Sequence, residues 1–430
     1  MNNFNEKKDK ALNILSGAKD GKLLTHLNSC VHCGLCAESC MYYLATKDEK
    51  FIPAKKVDII STIYQRYRTF TGKYFPILNG ARELDEATAE EMVDQLFGGC
   101  TLCGRCVKHC SIGVDITYVI KTGRQMLAEM GYVPATLQST VNTALQTGNN
   151  MGITTDELKD TLSWLEEDLR DEVNDPNASI PLDVPNTNVL YTLNPREPKF
   201  FPLSISAMAK IFYAAKESWT LSTKMYDVTN YGYFSAKMDE ATIIAKRLFD
   251  EMLELKAKRC VLAECGHGSR AFRWEAPNYL GKSFSFDNLT SVELIAEYIS
   301  QGRLNLDKSL NKELMTLHDP CNLVRNGGII QQQRYILKHT ISNFVEMTPY
   351  GADNFCCGGG GGQLAMSEYN ERRMKIAEIK AEQIRKTGAK VVVTPCHNCV
   401  DQLMQIDNKF KLGVKIKTLA EVVADAIVLE

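Results

Sequence analysis

Eight cysteines in two runs carry the plainest chemistry in this chain. Cys30, Cys33, Cys36 and Cys40 follow a C-x2-C-x2-C-x3-C spacing, and Cys100, Cys103, Cys106 and Cys110 repeat it. Three thiolates on one tight loop can cap three irons of a [4Fe–4S] cube, while the fourth cysteine of such a run serves the neighbouring cube. That rule gives one cluster Cys30, Cys33, Cys36 and Cys110, and the other Cys100, Cys103, Cys106 and Cys40. Zinc is the competing metal, but it typically draws on two well-separated Cys-x-x-Cys pairs per ion, so the spacing favours two cubanes. Met41 and Ser111 follow the fourth cysteines, where proline is common; proline there shapes the chain and ligates nothing.

A second constellation comprises Cys321, the adjacent Cys356 and Cys357, and the pair Cys396 and Cys399. Five cysteines exceed the needs of one cubane. Neighbours in sequence do not easily form a mutual disulfide, but they can present two thiolates to a shared metal centre. Glycines 358–362 follow directly. Gly358, Gly359 and Gly360 would let the backbone approach closely and aim N–H groups at bound sulfide or an anionic ligand. The run lacks the Lys-Ser/Thr ending of a phosphate-binding loop, which disfavours nucleotide binding.

Helices and strands must position these residues. Pro53 suits the first turn of a helix through AKKVDIISTIYQRY, which separates the two runs by too much chain for a compact ferredoxin and points to a helical one. An amphipathic acidic helix spans 154–174, opened by Thr154 or Thr155. The Pro- and Asn-rich stretch 175–188 marks a boundary. Beyond it lies a repeat. GAKVVVTPCHNC is a short β-branched strand running into a Cys-x-x-Cys turn, with the helix MSEYNERRMKIAEIKAEQIRK before it and VKIKTLAEVVADAI after it. An earlier copy runs DEATIIAKRLFDEMLELKAK, CVLAECGHGS, SFSFDNLTSVELIAEYI; placing Cys265 on Cys396 puts Gly268 where Cys399 stands. Alternating strands and helices argue for parallel α/β units with the cysteines just past the strand ends. The expected class is therefore α+β and multidomain. A helical ferredoxin domain (1–135) leads through a connector (136–187) to two α/β cysteine-rich repeats, the first degenerate (188–305) and the second complete (306–430).

Lys+Arg 50 against Asp+Glu 52 leaves a net charge of -2, so no global field attracts nucleic acid or an anionic membrane. Fifteen clustered cysteines and a start without an apolar core suggest a reducing, cytoplasmic setting. No run approaches the roughly 18 apolar residues of a spanning helix, so a membrane link is expected through partner subunits. The acidic helix and the aromatic-rich segment 212–234 read first as solvated face and core, with docking as the alternative.

The patterns HDPCNLVR, FCCGGGGG and TPCHNC, downstream of a two-cluster domain, resemble the D-subunit family of heterodisulfide reductases. That family includes iron–sulfur subunits of the membrane redox complexes of sulfate-reducing organisms. The resemblance implies a non-cubane [4Fe–4S] centre held by Cys321, Cys356, Cys357, Cys396 and Cys399. The first copy keeps only Cys260 and Cys265, so one such centre is expected. Disulfide cleavage consumes protons, and imidazoles titrate in a suitable range. His267 and His318 are the candidates for proton delivery or substrate contact, while His32 and His109 are read as packing around the cubanes. Glu264 and Arg270 would share the cleft if the two copies pack symmetrically. The implied function is a heterodisulfide-reductase-like disulfide oxidoreductase, the catalytic subunit of a membrane-associated complex of anaerobic respiration. It would act on a small thiol or carrier-protein disulfide with a membrane cytochrome or quinone-reactive partner. The alternative is an electron-transfer subunit for a flavin dehydrogenase of 2-hydroxy acids or glycerol 3-phosphate.

Overall fold

Each cysteine run bends around a glycine in the left-handed region. Gly34 (φ 86°) precedes the helix Leu35–Ser39, and Gly104 (φ 75°) precedes the helix Arg105–Lys108. The residues two before them, His32 (φ 54°) and Leu102 (φ 52°), share the same backbone state, so the two loops follow one path. A side chain at positive φ is costly, and it persists where a loop must curl its thiols inward.

The computed structural model describes residues 2–16 and 21–429. These fall into two units. Unit 1 contains Met1–Ser139, Tyr231–Met238 and Gly358–Ile379, and unit 2 contains Thr140–Asn230, Asp239–Cys357 and Lys380–Glu430. Among the described residues no helix is long and apolar enough to cross a membrane.

Unit 1 is helical. Helices Asn2–Ser16, Pro53–Arg68 and Ile116–Met130 pack on one another and bury Leu15, Ile60 and Leu127. Pro53 occupies the first turn of its helix, where its missing N–H costs nothing. The two later segments are tied in by Arg124. This fully buried guanidinium donates to the carbonyls of Leu96 (3.0 Å), Cys100 (2.8 Å), Phe234 (2.8 Å) and Gly361 (2.9 Å).

Unit 2 holds two parallel four-stranded sheets. In the first, β1 (Val189–Tyr191), β2 (Trp219–Thr220), β3 (Arg259–Leu262) and β4 (Asp287–Thr290) lie in the order β2-β1-β3-β4. In the second, β5 (Leu314–Leu317), β6 (Asn343–Phe344), β7 (Val391–Val393) and β8 (Lys415–Lys417) lie in the order β6-β5-β7-β8. The orders match strand for strand, and both inner strands are buried because helices cover parallel sheets. The class is thus α+β: a helical ferredoxin-like region and α/β cysteine-rich repeats.

Helix Thr155–Val173 buries Leu158, Leu162, Leu165, Leu169 and Val173, a stripe at helical spacing, and Thr154 closes a capping box with Glu157. Residues 175–188 are part of unit 2: Ala178 and Ile180 are buried, and Leu182 bridges Leu221. The aromatic segment 212–234 is core. Phe212, Trp219, Tyr226, Tyr231, Tyr233 and Phe234 are all buried, and Phe212 stacks on Trp219 at 4.5 Å between centroids. Aromatic rings gain most from burial; Tyr213 of the same segment is half-buried, its hydroxyl donating to Asp175 Oδ2 at 2.9 Å.

Candidate iron–sulfur centres

In unit 1, Cys40, Cys100, Cys103 and Cys106 line one cavity together with Lys56, and Cys30, Cys33, Cys36 and Cys110 line another. Each cavity therefore takes three cysteines from one run and the fourth from the other. Backbone N–H groups point at the sulfurs: Leu102 donates to Cys100 Sγ and Val114 to Cys110 Sγ, both at 3.3 Å. Burial, and then the neighbouring Cys103, Cys100 and Cys40, push the Cys106 thiol well above its ordinary value. Such a crowd of thiols ionises together only around a cation, so the donor set fits a metal cluster. Lys56 is buried in this cavity wall and donates to the carbonyl of Gly99. His32 lies at the surface with Nε2 2.7 Å from Asp58 Oδ1, while His109 ends the helix Arg105–Lys108.

Unit 2 gathers the other constellation at the strand ends. Cys321 follows β5, Cys356 and Cys357 end the connection after β6, and Cys396 follows β7 as the N-cap of helix His397–Phe410, which carries Cys399 in its first turn. All five are buried. Cys357 Sγ lies 3.4 Å from Cys399 Sγ, and Cys321 Sγ 3.9 Å from Cys356 Sγ. His318 brings a ring nitrogen into a group with Cys357 and Cys399 whose ligand-capable atoms all lie within 4.8 Å of one another. Cys396 is lowered by its hydrogen bond with Cys399 and by the N–H of Gly266 (3.4 Å), whereas bonds with Cys357 and Cys396 raise Cys399 well above the usual thiol range. Five sulfurs and a ring nitrogen, with no carboxylate grouped with them among the described residues, exceed one tetrahedral zinc ion and suit a soft, multi-iron centre. Glycines 358–362 belong to unit 1, where Gly361 (φ 64°) runs against the backbone of Thr101.

Histidines around this site are buried and neutral. Burial lowers His267 to about 4 and His318 well below its ordinary value. His267 Nδ1 meets Asn398 Nδ2. His397, lowered by burial to about 4, stands between the two cysteines of its turn with Nδ1 3.0 Å from the carbonyl of Glu264 and Nε2 2.9 Å from Ser204 Oγ. Ser204 also bonds Glu197, a carboxyl that burial pushes up to about 8. Glu264 turns its own carboxylate to the N–H groups of Leu419 (3.1 Å) and Ala420 (3.2 Å), and Arg270 donates to Asn322 Oδ1 at 3.4 Å. Arg270 thus reaches the residue after Cys321, whereas Glu264 serves a helix end.

Two lysines carry no motif that would single them out. Lys380 is wholly buried, and burial lowers it to about 8 while Cys357, Asp319, Cys356 and Cys399 oppose the fall. Its sequence signal is position: on helix Asn370–Thr387 it sits three or four residues from the buried Ile376, Ala377 and Ile384, on the apolar stripe. Lys56 holds the same place among Ile59, Ile60 and Ile63. A charge on an apolar stripe needs a counter-charge, and thiolate clusters supply one.

Known proteins share this arrangement. A 4Fe-4S dicluster domain matches residues 26–114, and a cysteine-rich domain of the CCG type matches residues 315–404. An Hdr-like menaquinol oxidoreductase iron-sulfur subunit 2 of Archaeoglobus fulgidus is 28% identical over 457 residues, covering 94% of this chain and 80% of that one. The D subunit of the dihydromethanophenazine:CoB–CoM heterodisulfide reductase of Methanosarcina mazei is 27% identical over 414 residues, 95% of both chains. An EtfAB:quinone oxidoreductase of Syntrophomonas wolfei is 22% identical, over 89% of this chain but 55% of its own length. Dicluster and CCG domains in this order, with similarity along nearly the whole chain to these D-type subunits, support an iron–sulfur electron-transfer subunit of a heterodisulfide-reductase-like oxidoreductase.

Proposed function

We propose that this chain is the catalytic subunit that reduces, or in reverse forms, the disulfide of a small thiol or carrier protein, working with a membrane cytochrome or quinone-reactive partner. In the reducing direction the S–S bond breaks, two electrons enter from a quinol-type or cytochrome reductant, two protons are taken up and two thiols leave. On this reading Cys30, Cys33, Cys36 and Cys110, and Cys100, Cys103, Cys106 and Cys40, would each hold a cubane. Cys321, Cys356, Cys357, Cys396 and Cys399 would hold a non-cubane [4Fe–4S] centre. Together such centres supply one-electron transfer and a thiophilic metal site for sulfur.

The chain's own residues carry the rest. His318 and His267, neutral and buried beside the thiols, hold protons at ring nitrogens within the site. The exclusion of water by β5, β7 and their helices strengthens every hydrogen bond to sulfur. Gly358, Gly359 and Gly360 would keep bulk away from the backbone that leaves Cys357. The observation that carries the reading is the approach of buried thiols, 3.4 Å between Cys357 and Cys399 and 3.9 Å between Cys321 and Cys356. Relatives named as heterodisulfide reductase and menaquinol oxidoreductase subunits support the substrate and partner classes.

Electron paramagnetic resonance on anaerobically purified, oxidised protein with and without added thiol, alongside iron quantification, tests it. Roughly twelve irons per chain and a thiol-responsive signal are expected. About eight irons and no such signal would instead leave a subunit that only relays electrons, as for a flavin dehydrogenase.

A further inference from the structure

Lys380 Nζ donates to Asn354 Oδ1 at 2.7 Å and approaches Met347 Sδ at 3.8 Å; it makes no ion pair with a carboxylate among the described residues. An ammonium has donors only, so the Asn354 atom facing it is oxygen and the amide has a single admissible orientation. Its Nδ2 therefore turns the other way, towards the carbonyl of Asp319 at 3.2 Å and His318 Nδ1 at 3.4 Å. Asp319 is itself fixed by Arg334 (2.9 Å) and by the N–H of Gly351 (2.6 Å), so the acceptor for the second amide hydrogen does not move.

An amide NH2 can only donate, so His318 Nδ1 must carry a lone pair. An imidazolium would set N–H against N–H. The ring proton therefore sits on Nε2, which is buried and meets no hydrogen-bond partner among the described residues. That N–H is the one unspent donor of a ring lying beside Cys357 and Cys399.

We infer that Lys380 and Asn354 are positioning residues that lock His318 in its Nε2–H tautomer, so that this N–H, which meets no acceptor among the described residues, is left to donate to sulfur of the proposed centre and His318 is not a metal ligand. The inference rests on the proposed iron–sulfur centre at that site. A donor there favours negative charge on sulfur, and a chain of two fixed partners holds its direction in a way a lone histidine could not. It also accounts for a buried lysine on an apolar stripe and for an asparagine two residues before the Cys-Cys pair.

Nitrogen hyperfine spectroscopy on protein labelled with 15N-histidine, in the thiol-treated paramagnetic state of the full chain, tests this. The expected result is a weak coupling, as from an N–H against sulfur, that disappears in His318→Ala. In Asn354→Asp, which offers acceptors to both lysine and ring, iron is kept and the coupling changes; Lys380→Met weakens the same coupling. A strong coupling typical of directly bound nitrogen, or a weak one indifferent to both substitutions, overturns the inference. Should Asn354→Asp not fold, Lys380→Met is read alone against the same outcomes. Iron content separates the two claims: full iron with the wrong coupling sinks only the tautomer lock. About eight irons with no thiol-responsive signal in the unsubstituted protein sinks the centre, and the lock with it.

Discussion

The first repeat, built on β1–β4, and the second, on β5–β8, arrange the same parallel sheet in the same order, yet only the second gathers five thiols. The correspondence extends into the loops. Cys265 and Cys396 both stand at helix N-caps just past an inner strand. Helices Ser291–Ser300 and Leu419–Ala426 both open with a capping box, Thr290 with Glu293 and Thr418 with Glu421. The difference begins three residues after each cysteine. Where Cys399 sits in the second repeat, the first has Gly268, packed so closely that a Cβ would lie 2.6 Å from Val228 Cγ2 and 2.7 Å from its carbonyl oxygen. The Cys265 sulfur receives N–H groups instead, from Gly268 (3.3 Å) and Asn194 (3.4 Å). The sheet therefore stands on its own packing, and thiols in its loops are an addition to it.

The cysteine-poor repeat supports the other. Gly266 donates to Cys396 Sγ, the carbonyl of Glu264 accepts the His397 N–H at 2.8 Å, and Asn194 donates to Asn398 Oδ1 at 3.3 Å. A loop with glycine where its counterpart has cysteine supplies hydrogen bonds that hold the turn between Cys396 and Cys399.

Four experiments would break or sharpen this contrast. Cys357→Ser or Cys399→Ser should remove about four irons per chain, while Cys265→Ser removes none; equal losses by iron quantification would make the first repeat a metal site too. The second concerns Glu197, on the first repeat, against His397 on the second. Burial raises its carboxyl from 4.5 to about 8, so the stability of the neutral form is fully present below pH 4.5 and is lost as pH climbs towards 8. Glu197→Gln should flatten that decline by on the order of 1 kcal/mol or more between pH 5 and pH 8; parallel unfolding midpoints for both proteins would refute it.

Gly268→Cys, which restores the missing ligand by sequence, should destabilise by about 1–3 kcal/mol in denaturant titration and gain no iron. A stable variant with extra iron would mean the two loops are interchangeable. Smallest is Glu264→Ala, which strips the acceptor from the N–H groups of Leu419 and Ala420 and should cost about 1 kcal/mol, with Glu264→Gln costing less. No loss in either would detach this carboxyl from the end of its helix.

Much of this was readable in the chain itself. The β-branched run before Cys396, Pro53 opening a helix and the two capping threonines of the repeats are local signals, because they depend on neighbours within four residues. Thr154 and Thr155 were equivalent in sequence, and the capping bond from the Glu157 N–H, 3.2 Å from Thr154 Oγ1, chose between them. The aromatic segment 212–234 was ambiguous for a related reason: aromatic residues serve cores and interfaces alike, and only packing tells which.

Spacing and residue type determined that this chain carries clustered thiols suited to iron and sulfur, and periodicity determined the alternating strands and helices that hold them. Tertiary structure alone decided which charges are buried. Lys56 and Lys380 look like surface residues until the thiols, brought from distant parts of each unit, surround them. It also decided how His318, Asn354 and Lys380, spread over 63 positions of sequence, form one chain of hydrogen bonds. Hydrogen-bond direction is a property of three-dimensional neighbours, and no local pattern encodes it.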